Sequence, residues 1–463
     1  MSRARAPVTT IDPYTGGVLE RFAYTSSAQL EATLNAAVGA QRRWSTMAVE
    51  KRADVLRSVG ARLRSNGADL ALTAAREMGK PLKQARAEIE KCAWCCDFYA
   101  EHAREFLKEE HVATNATRSY VAFRPLGIVL AIMPWNFPYW QVFRAAAPAL
   151  MAGNGILLKH ASNVTRCALE IERLFNDAGA PTGIFSVIIA DNDATSHLLD
   201  DSRIAAATLT GSVAAGRAVA AKAGRALKKV VLELGGSDAF VVLADADLDA
   251  AAQAAVRSRF QNAGQSCIAA KRFIVESSVY DAFLARFAEE TSKLRAGDPK
   301  LEETDVGPMA REDLRDALKE QVAKTLNAGA QCVTGGRQVD GPGFFYQPTI
   351  VAGVTPQMPM FKEETFGPAA AVARAADAEN AIALANTSSF GLGGTMWTTD
   401  VERGAQLAAR MECGSVFLNG MMASDPRLPF GGVKNSGYGR ELSHFGIREF
   451  VNVQSIWIGP ATV

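Results

Sequence analysis

The chain lacks most of what would mark it for a membrane, a secreted framework or a metal. It has 463 residues, and no apolar run reaches the roughly 18 residues of a membrane span. The opening stretch, MSRARAPVTTIDPYTGG, has no apolar core of the kind a secretory signal needs. An excess of either charge is missing as well. Fifty basic against 49 acidic side chains leave a net charge of +1, so neither nucleic acid nor a membrane surface is an expected partner. The five histidines, at 102, 111, 160, 197 and 444, never fall at ligand spacing, and no metal is expected. Seven cysteines are few for the length and odd in number, which argues against a disulfide framework and for a reducing cytoplasm. No internal repeat, no low-complexity linker and no GxGxxG fingerprint occurs.

What is present is an ordinary soluble composition, 48% hydrophobic and 21% charged. The length predicts two or three domains. The first hundred residues read as helices. Leu30, Leu34 and Val38 follow the candidate caps Ser26 and Ser27. Val55, Val59 and Leu63 mark a second helix, and Gly79-Lys80-Pro81 breaks the pattern before a third. That third helix carries KCAWCC at 91–96. Ile89, Cys92, Cys96 and Tyr99 share a stripe that reads as a buried face, with a Cys92–Cys95 redox pair as the other reading.

From residue 126 short apolar runs alternate with helical stretches. The runs are 128–133, 155–159, 185–189, 206–210 and 230–234. Each is continuously apolar, as strands of a parallel sheet buried on both faces should be. This predicts a doubly wound α/β domain, with ligands beyond the carboxyl ends of the strands. A second α/β domain is predicted from candidate strands at 239–243, 272–275, 395–397 and 416–419, with helices at 247–261, 279–294, 311–327 and 401–411. Two alternating segments, 118–123 and 450–458, stand apart from both. They are expected to form a small β arm for a homodimer or homotetramer, or else plain edge strands.

Four stretches carry the chemistry. In FQNAGQSCIAAKRF, Cys267 lies among small residues that would let a substrate approach, with Lys271 and Arg272 just downstream. Helix-end amides nearby would lower its pKa and expose a thiolate. The other reading is inert packing. In VLELGGSDAF, Glu233 sits in an apolar strand. Burial would raise its pKa toward that of a general base, unless an unseen cation pairs with it. In IMPWNFP, the Asn136 side chain can donate to an oxyanion or close an Asx turn. In LTGSVAAG, Gly211 and Ser212 would leave amides free for a phosphate at a helix N-terminus.

WNFP, LTGS, LELGGSDAF, GQSC, KEETFGP and PFGGVKNSGYGRE occur in this order, and together they resemble the aldehyde dehydrogenase superfamily. The likeness runs from 11–17 through the C-terminal strand. It implies two doubly wound α/β domains plus an oligomerisation arm. Residues 1–106 and 126–236 would bind the dinucleotide, 237–445 would carry catalysis, and 107–125 with 446–463 would pair subunits. It implies Cys267 as the nucleophile, Asn136 with the Cys267 amide as the oxyanion hole, and Glu233 as the base that releases the acid. Glu364 and Phe366 would hold the nicotinamide end and Lys159 the adenosine ribose. Trp135 and Ser212 would contact the pyrophosphate, with Ile132, Pro134 and Gly211 also on the cofactor side. Glu233 further separates this chain from acylating relatives that use coenzyme A.

In LLKHASN, NAD-preferring members carry a glutamate where this chain has Ser162. A 2′-phosphate would then meet Lys159 and a hydroxyl, with no anion near. NADP is the expected cofactor, with NAD usable. For the substrate, Arg144 lies in an apolar helix close behind Asn136, where an unpaired charge is costly. It is either an internal ion pair or a clamp for a substrate carboxylate. KHASN, WQVFR and NGMMASDPRLPFGG are similar to the short bacterial succinate-semialdehyde dehydrogenases. That likeness implies Arg144 and Ser424 as carboxylate ligands, and Arg427 more weakly. Glutarate semialdehyde or a broad aldehyde range stays open, as do an acylating enzyme and a non-catalytic role.

Overall fold

The computed structural model describes residues 6–460; the first five and last three residues of the expected terminal segments lie outside them. The five apolar runs assemble into one sheet. Across it the strands are Gly437–Tyr438, Lys229–Glu233, Ile204–Thr210, Ile128–Met133, Gly155–His160 and Phe185–Ile188. All neighbours are parallel except the short edge strand Gly437–Tyr438, which pairs antiparallel with Lys229–Glu233. Leu130, Ile156, Leu157 and Val231 are buried, as a sheet covered on both faces requires. Strand order runs outward in both directions from the neighbours Ile128–Met133 and Ile204–Thr210. WNFP and LTGS leave the carboxyl ends of these two strands, at the place where a doubly wound sheet opens a crevice.

A second sheet has the order Gln331–Thr334, Thr349–Ala352, Ala369–Ala375, Ala270–Glu276, Asp238–Val242, Gly393–Trp397 and Ser415–Leu418. Only its first pair is antiparallel. The residues Leu234–Ser237 join the two sheets directly. Glu233 ends a strand of the first, and Asp238 opens a strand of the second. Cys267 lies just before the central strand Ala270–Glu276. The arm is a third sheet in which Val451–Ile458 runs antiparallel to Arg118–Pro125 over its whole length, with Glu110–His111 beyond.

Several expectations need correction. A helix at Gly67–Met78 stands between the two expected on either side of it, and ends on Gly79 at φ +75°. The helix Leu82–Phe106 is therefore the fourth. Strands Thr349–Ala352 and Ala369–Ala375 were not expected, nor was the hairpin Val8–Ile11 with Val18–Phe22. Cys92, Cys95 and Cys96 are buried free thiols, which supports the packing reading of KCAWCC over a redox pair. Among the described residues no helix is long and apolar enough to cross a membrane.

Candidate active site

The loop before Cys267 is held in an uncommon backbone. The helix Leu248–Phe260 ends, and Asn262, Ala263 and Gly264 follow at φ 55°, 52° and 70°. Two of these are not glycine, so the turn stores strain. Its surroundings hold it. Asn262 donates from Nδ2 to the carbonyls of Asn136 (2.7 Å) and Gln265 (3.1 Å), and from its N–H to Gln84 Oε1 (2.7 Å). Arg259, fully buried, donates to the carbonyls of Gly264 (2.6 Å), Gly367 (2.8 Å) and Ala270 (2.9 Å). Lys271, also fully buried, donates to those of Ser266 (2.9 Å) and Cys267 (2.7 Å). Gly264 is small because a side chain there would collide with the Gly367 carbonyl, rather than to admit substrate. Likewise, a side chain at Gly236 would strike the Cys267 carbonyl.

Cys267 is partly buried and opens into a cavity of about 210 Å³. Burial pushes its thiol up to about 12, against the pull of Arg144 and then Lys271. The expected lowering by helix-end amides is absent, because a turn and a strand follow Cys267 rather than a helix. Among the described residues its N–H has no hydrogen-bond acceptor. Asn136, buried, donates from Nδ2 to the Gln265 carbonyl (3.1 Å), which ties it two residues from Cys267 and leaves one amide hydrogen open. Glu233 is 2% exposed, and neither carboxylate oxygen has a hydrogen-bond partner. Burial, and next Glu441, hold its pKa well above the usual carboxylate range.

The cavity wall contains Arg144, Ser424 and Cys267, but not Asn136 or Glu233. Arg144 forms a buried ion pair with Glu441. It also donates to Thr210 Oγ1 (3.3 Å) and lies 4.5 Å over the Phe430 ring. Both readings of Arg144 therefore have support: it faces the cavity and it has an internal counter-ion. Arg427 does not reach the cavity. It is exposed and pairs with Asp425 (2.6 Å) on the outer surface.

The cofactor candidates fall in two places. Lys159 and Ser162 line a separate hollow of about 400 Å³, together with His160, Thr165 and the turn after Phe185–Ile188. Lys159 makes no ion pair among the described residues, and burial lowers its pKa. The expectation of no anion near Ser162 fails, because Asp191 from that turn and Asp193 from the first turn of the helix Asn192–Asp200 line the same hollow. His160 adds no charge. Burial brings it down to about 4, its Nδ1 accepts from Ala161 N–H (2.9 Å), and its Nε2 then donates to the Pro138 carbonyl (2.8 Å). Trp135 and Phe366 meet edge to face at 5.8 Å. Glu364 accepts from the Gly236 N–H (3.0 Å), with Lys271 3.7 Å away. Gly211 does not offer a free amide: its N–H donates to the Glu233 carbonyl (3.0 Å), extending the strand pairing by one residue. The Ser212 side chain caps the helix Val213–Arg225 through the Ala215 N–H. Ile132 and Pro134 are half-buried at the strand end, outside both hollows.

Sequence reading missed Lys91, Glu441 and the holding role of Lys271. Lys91 reaches the cavity from the helix Leu82–Phe106, 176 positions before Cys267. Glu441 sits in GRE, a motif noted for its likeness and not for its charge. Glu88 was missed as well. It pairs with the buried Lys80, and its Oε1 accepts the N–H groups of Tyr139 and Trp140 (both 2.9 Å), fixing the helix behind WNFP. A buried Lys–Glu signal was available in GKPLKQARAE, but nothing local said that it would be buried.

A partly buried thiol, a buried carboxylate and a buried amide lie at or near strand ends of these two sheets, and the chain as a whole can be set beside known proteins. The model of the aldehyde dehydrogenase family matches residues 1–456. The chain is 52% identical over 448 residues to the succinate semialdehyde dehydrogenase [NAD(P)+] Sad of Escherichia coli K12, covering 97% of both chains. It is 48% identical to a probable succinate-semialdehyde dehydrogenase [NADP(+)] of Synechocystis, covering 97% of this chain and 99% of that one. A solved succinic semialdehyde dehydrogenase of Streptococcus pyogenes, in complex with NADP+, superposes with a TM-score of 0.96 at 38% identity, over 98% of this chain and 100% of that chain. Motif order, fold and site geometry lead to one conclusion: the chain belongs to the aldehyde dehydrogenase family.

Proposed function

We propose that the protein oxidises succinate semialdehyde to succinate, with NADP as preferred cofactor and NAD usable. The observation that supports this best is the wall of one small cavity, where Cys267, Arg144 and Ser424 stand together. A cavity of about 210 Å³ falls below the roughly 300–1,000 Å³ of drug-sized sites and suits a short substrate. Similarity to relatives named as succinate-semialdehyde dehydrogenases points the same way.

Cys267 adds to the aldehyde carbon as its thiolate, its proton having passed to solvent. The oxyanion receives hydrogen bonds from Asn136 Nδ2 and the Cys267 N–H. A bound nicotinamide cofactor supplies the two-electron acceptor. Oxidation of the sulfur adduct leaves a thioester on Cys267. Glu233, having passed its proton to solvent, takes one from the attacking water, and the carboxylic acid leaves with the thiol restored. Lys159 and Ser162 would hold an adenosine 2′-phosphate by one cation and one hydroxyl, with Asp191 and Asp193 in the same hollow opposing it, and Glu364, Trp135 and Phe366 would lie at the nicotinamide end. Ile132, Pro134, Gly211 and Ser212 would lie along the cofactor between these ends.

Residues 1–106 and 126–236 serve as the dinucleotide domain, and 237–445 as the catalytic one. The arm of 107–125 and 446–463 joins subunits into a homodimer or homotetramer. Its edge strand Val451–Ile458 leaves Val453 and Trp457 exposed, which suits pairing with a second copy. Seven unbonded cysteines suit the cytoplasm. The test is the initial rate of NADPH formation with succinate semialdehyde against butanal, with NAD in parallel. A kcat/KM at least about tenfold higher for the semialdehyde, some 1.4 kcal/mol of transition-state binding, is expected. Equal rates for the two aldehydes would overturn the substrate assignment.

A further inference from the structure

We propose that Lys91 is the specificity-determining cation of this site. In this assignment its ammonium, with the Ser424 hydroxyl, receives the distal carboxylate of a short oxo acid. This deepens the function proposed above and depends on it.

The charges in the cavity wall are unequal. Arg144 is already balanced by Glu441 and held by Thr210 and the Phe430 ring. Glu88 is occupied by Lys80. Lys91 forms no ion pair among the described residues. Its Nζ donates to Ser424 Oγ (2.8 Å) and lies 4.5 Å from the centre of the Trp140 ring, which leaves two of its three hydrogens open. Ser424 Oγ accepts from Trp140 Nε1 as well (3.1 Å). Its two lone pairs are then used, and its own hydrogen is left to donate. One ammonium and one hydroxyl, both with hydrogens to give, form a receptor for a carboxylate.

Position agrees with this role. Lys91 lines the Cys267 cavity and also the outer hollow formed by Glu90, Trp94, Phe417 and Leu428. It therefore stands where an incoming substrate passes from surface to nucleophile. The ionisable groups facing it from other elements are Arg144, Cys267 and Asp425, with Glu88, Glu90, Cys92 and Cys95 on its own helix. Burial, and next Arg144, bring Lys91 down to about 8. A cation held in unfavourable surroundings gains from an arriving anion. Binding of the carboxylate should weaken as pH rises through this value.

The experiment compares Lys91→Met with the parent, using the ratio of kcat/KM for succinate semialdehyde to that for butanal. Methionine keeps the length and apolar stem, and Lys91→Gln is made beside it in case the methionine variant fails to fold. The ratio is expected to fall about 30-fold or more, as when one partner of a desolvated charge pair is removed, with the loss carried by KM. In the parent, KM for the semialdehyde should rise above pH 8; in Lys91→Arg, which stays charged, that rise should vanish. If the parent prefers the semialdehyde and the neutral variants keep that preference, the role of Lys91 is overturned and the proposed function stands. If the parent shows no preference, both fall together.

Discussion

A thiol pushed to about 12 is almost wholly protonated at neutral pH. Its thiolate fraction should therefore grow steadily with alkali. Inactivation by iodoacetamide is expected to speed up about tenfold per pH unit between 7 and 9, because the thiolate is the reacting form. A rate that levels off near pH 7 would contradict this. Cys267, Asn136 and Glu233 were legible because each carries an oddity in its own stretch: a sulfur among small residues, an amide between aromatics and prolines, a carboxylate inside an apolar strand. Lys91 was not, since a lysine in a helix is ordinary until the fold buries it. The pKa of Cys267 was read with the wrong sign, because its direction depends on whether a helix or a turn follows the residue.

At the scale of elements, the Cys267 loop depends on buried cations more than on apolar packing. Lys271, from the strand Ala270–Glu276, holds the carbonyls of Ser266 and Cys267 and stands 3.7 Å from Glu364. Lys271→Met leaves those buried acceptors, and the half-buried Glu364 carboxylate, without their cation. A loss of about 3–5 kcal/mol is expected, measured by urea denaturation, together with loss of turnover. A change under about 0.5 kcal/mol, within the range of surface substitutions, would remove Lys271 from this role. The five parallel strands of the first sheet were legible as apolar runs with nearly their observed bounds, but its short edge strand Gly437–Tyr438 was not. The strand Ala369–Ala375, AAAVARA, was not, because alanine favours helices in isolation. It sits between two other strands of the second sheet with its first five residues buried, and that tertiary burial outweighs local propensity.

At the scale of the whole molecule, the site exists because two sheets meet. Glu233 closes a strand of one, and Cys267 precedes a strand of the other. The linker Leu234–Ser237 runs between them, with Gly236 packed on the Cys267 carbonyl. Lys159 and Ser162 belong to the first sheet's carboxyl edge, Arg144 and Asn136 to its WNFP loop and following helix, and Ser424 to the loop after the second sheet's last strand. The motif order made this convergence expected, but the Arg144–Glu441 pair and the cation at Lys91 emerged only from packing. The most direct test of the account is to stop the reaction between its two halves. Glu233→Gln, mixed with succinate semialdehyde and NADP, should form NADPH once and then stall. Mass spectrometry should find a succinyl thioester on the peptide Phe260–Lys271, whose one cysteine is Cys267. Turnover at the parent's rate, or an acyl group on any other cysteine, would contradict it.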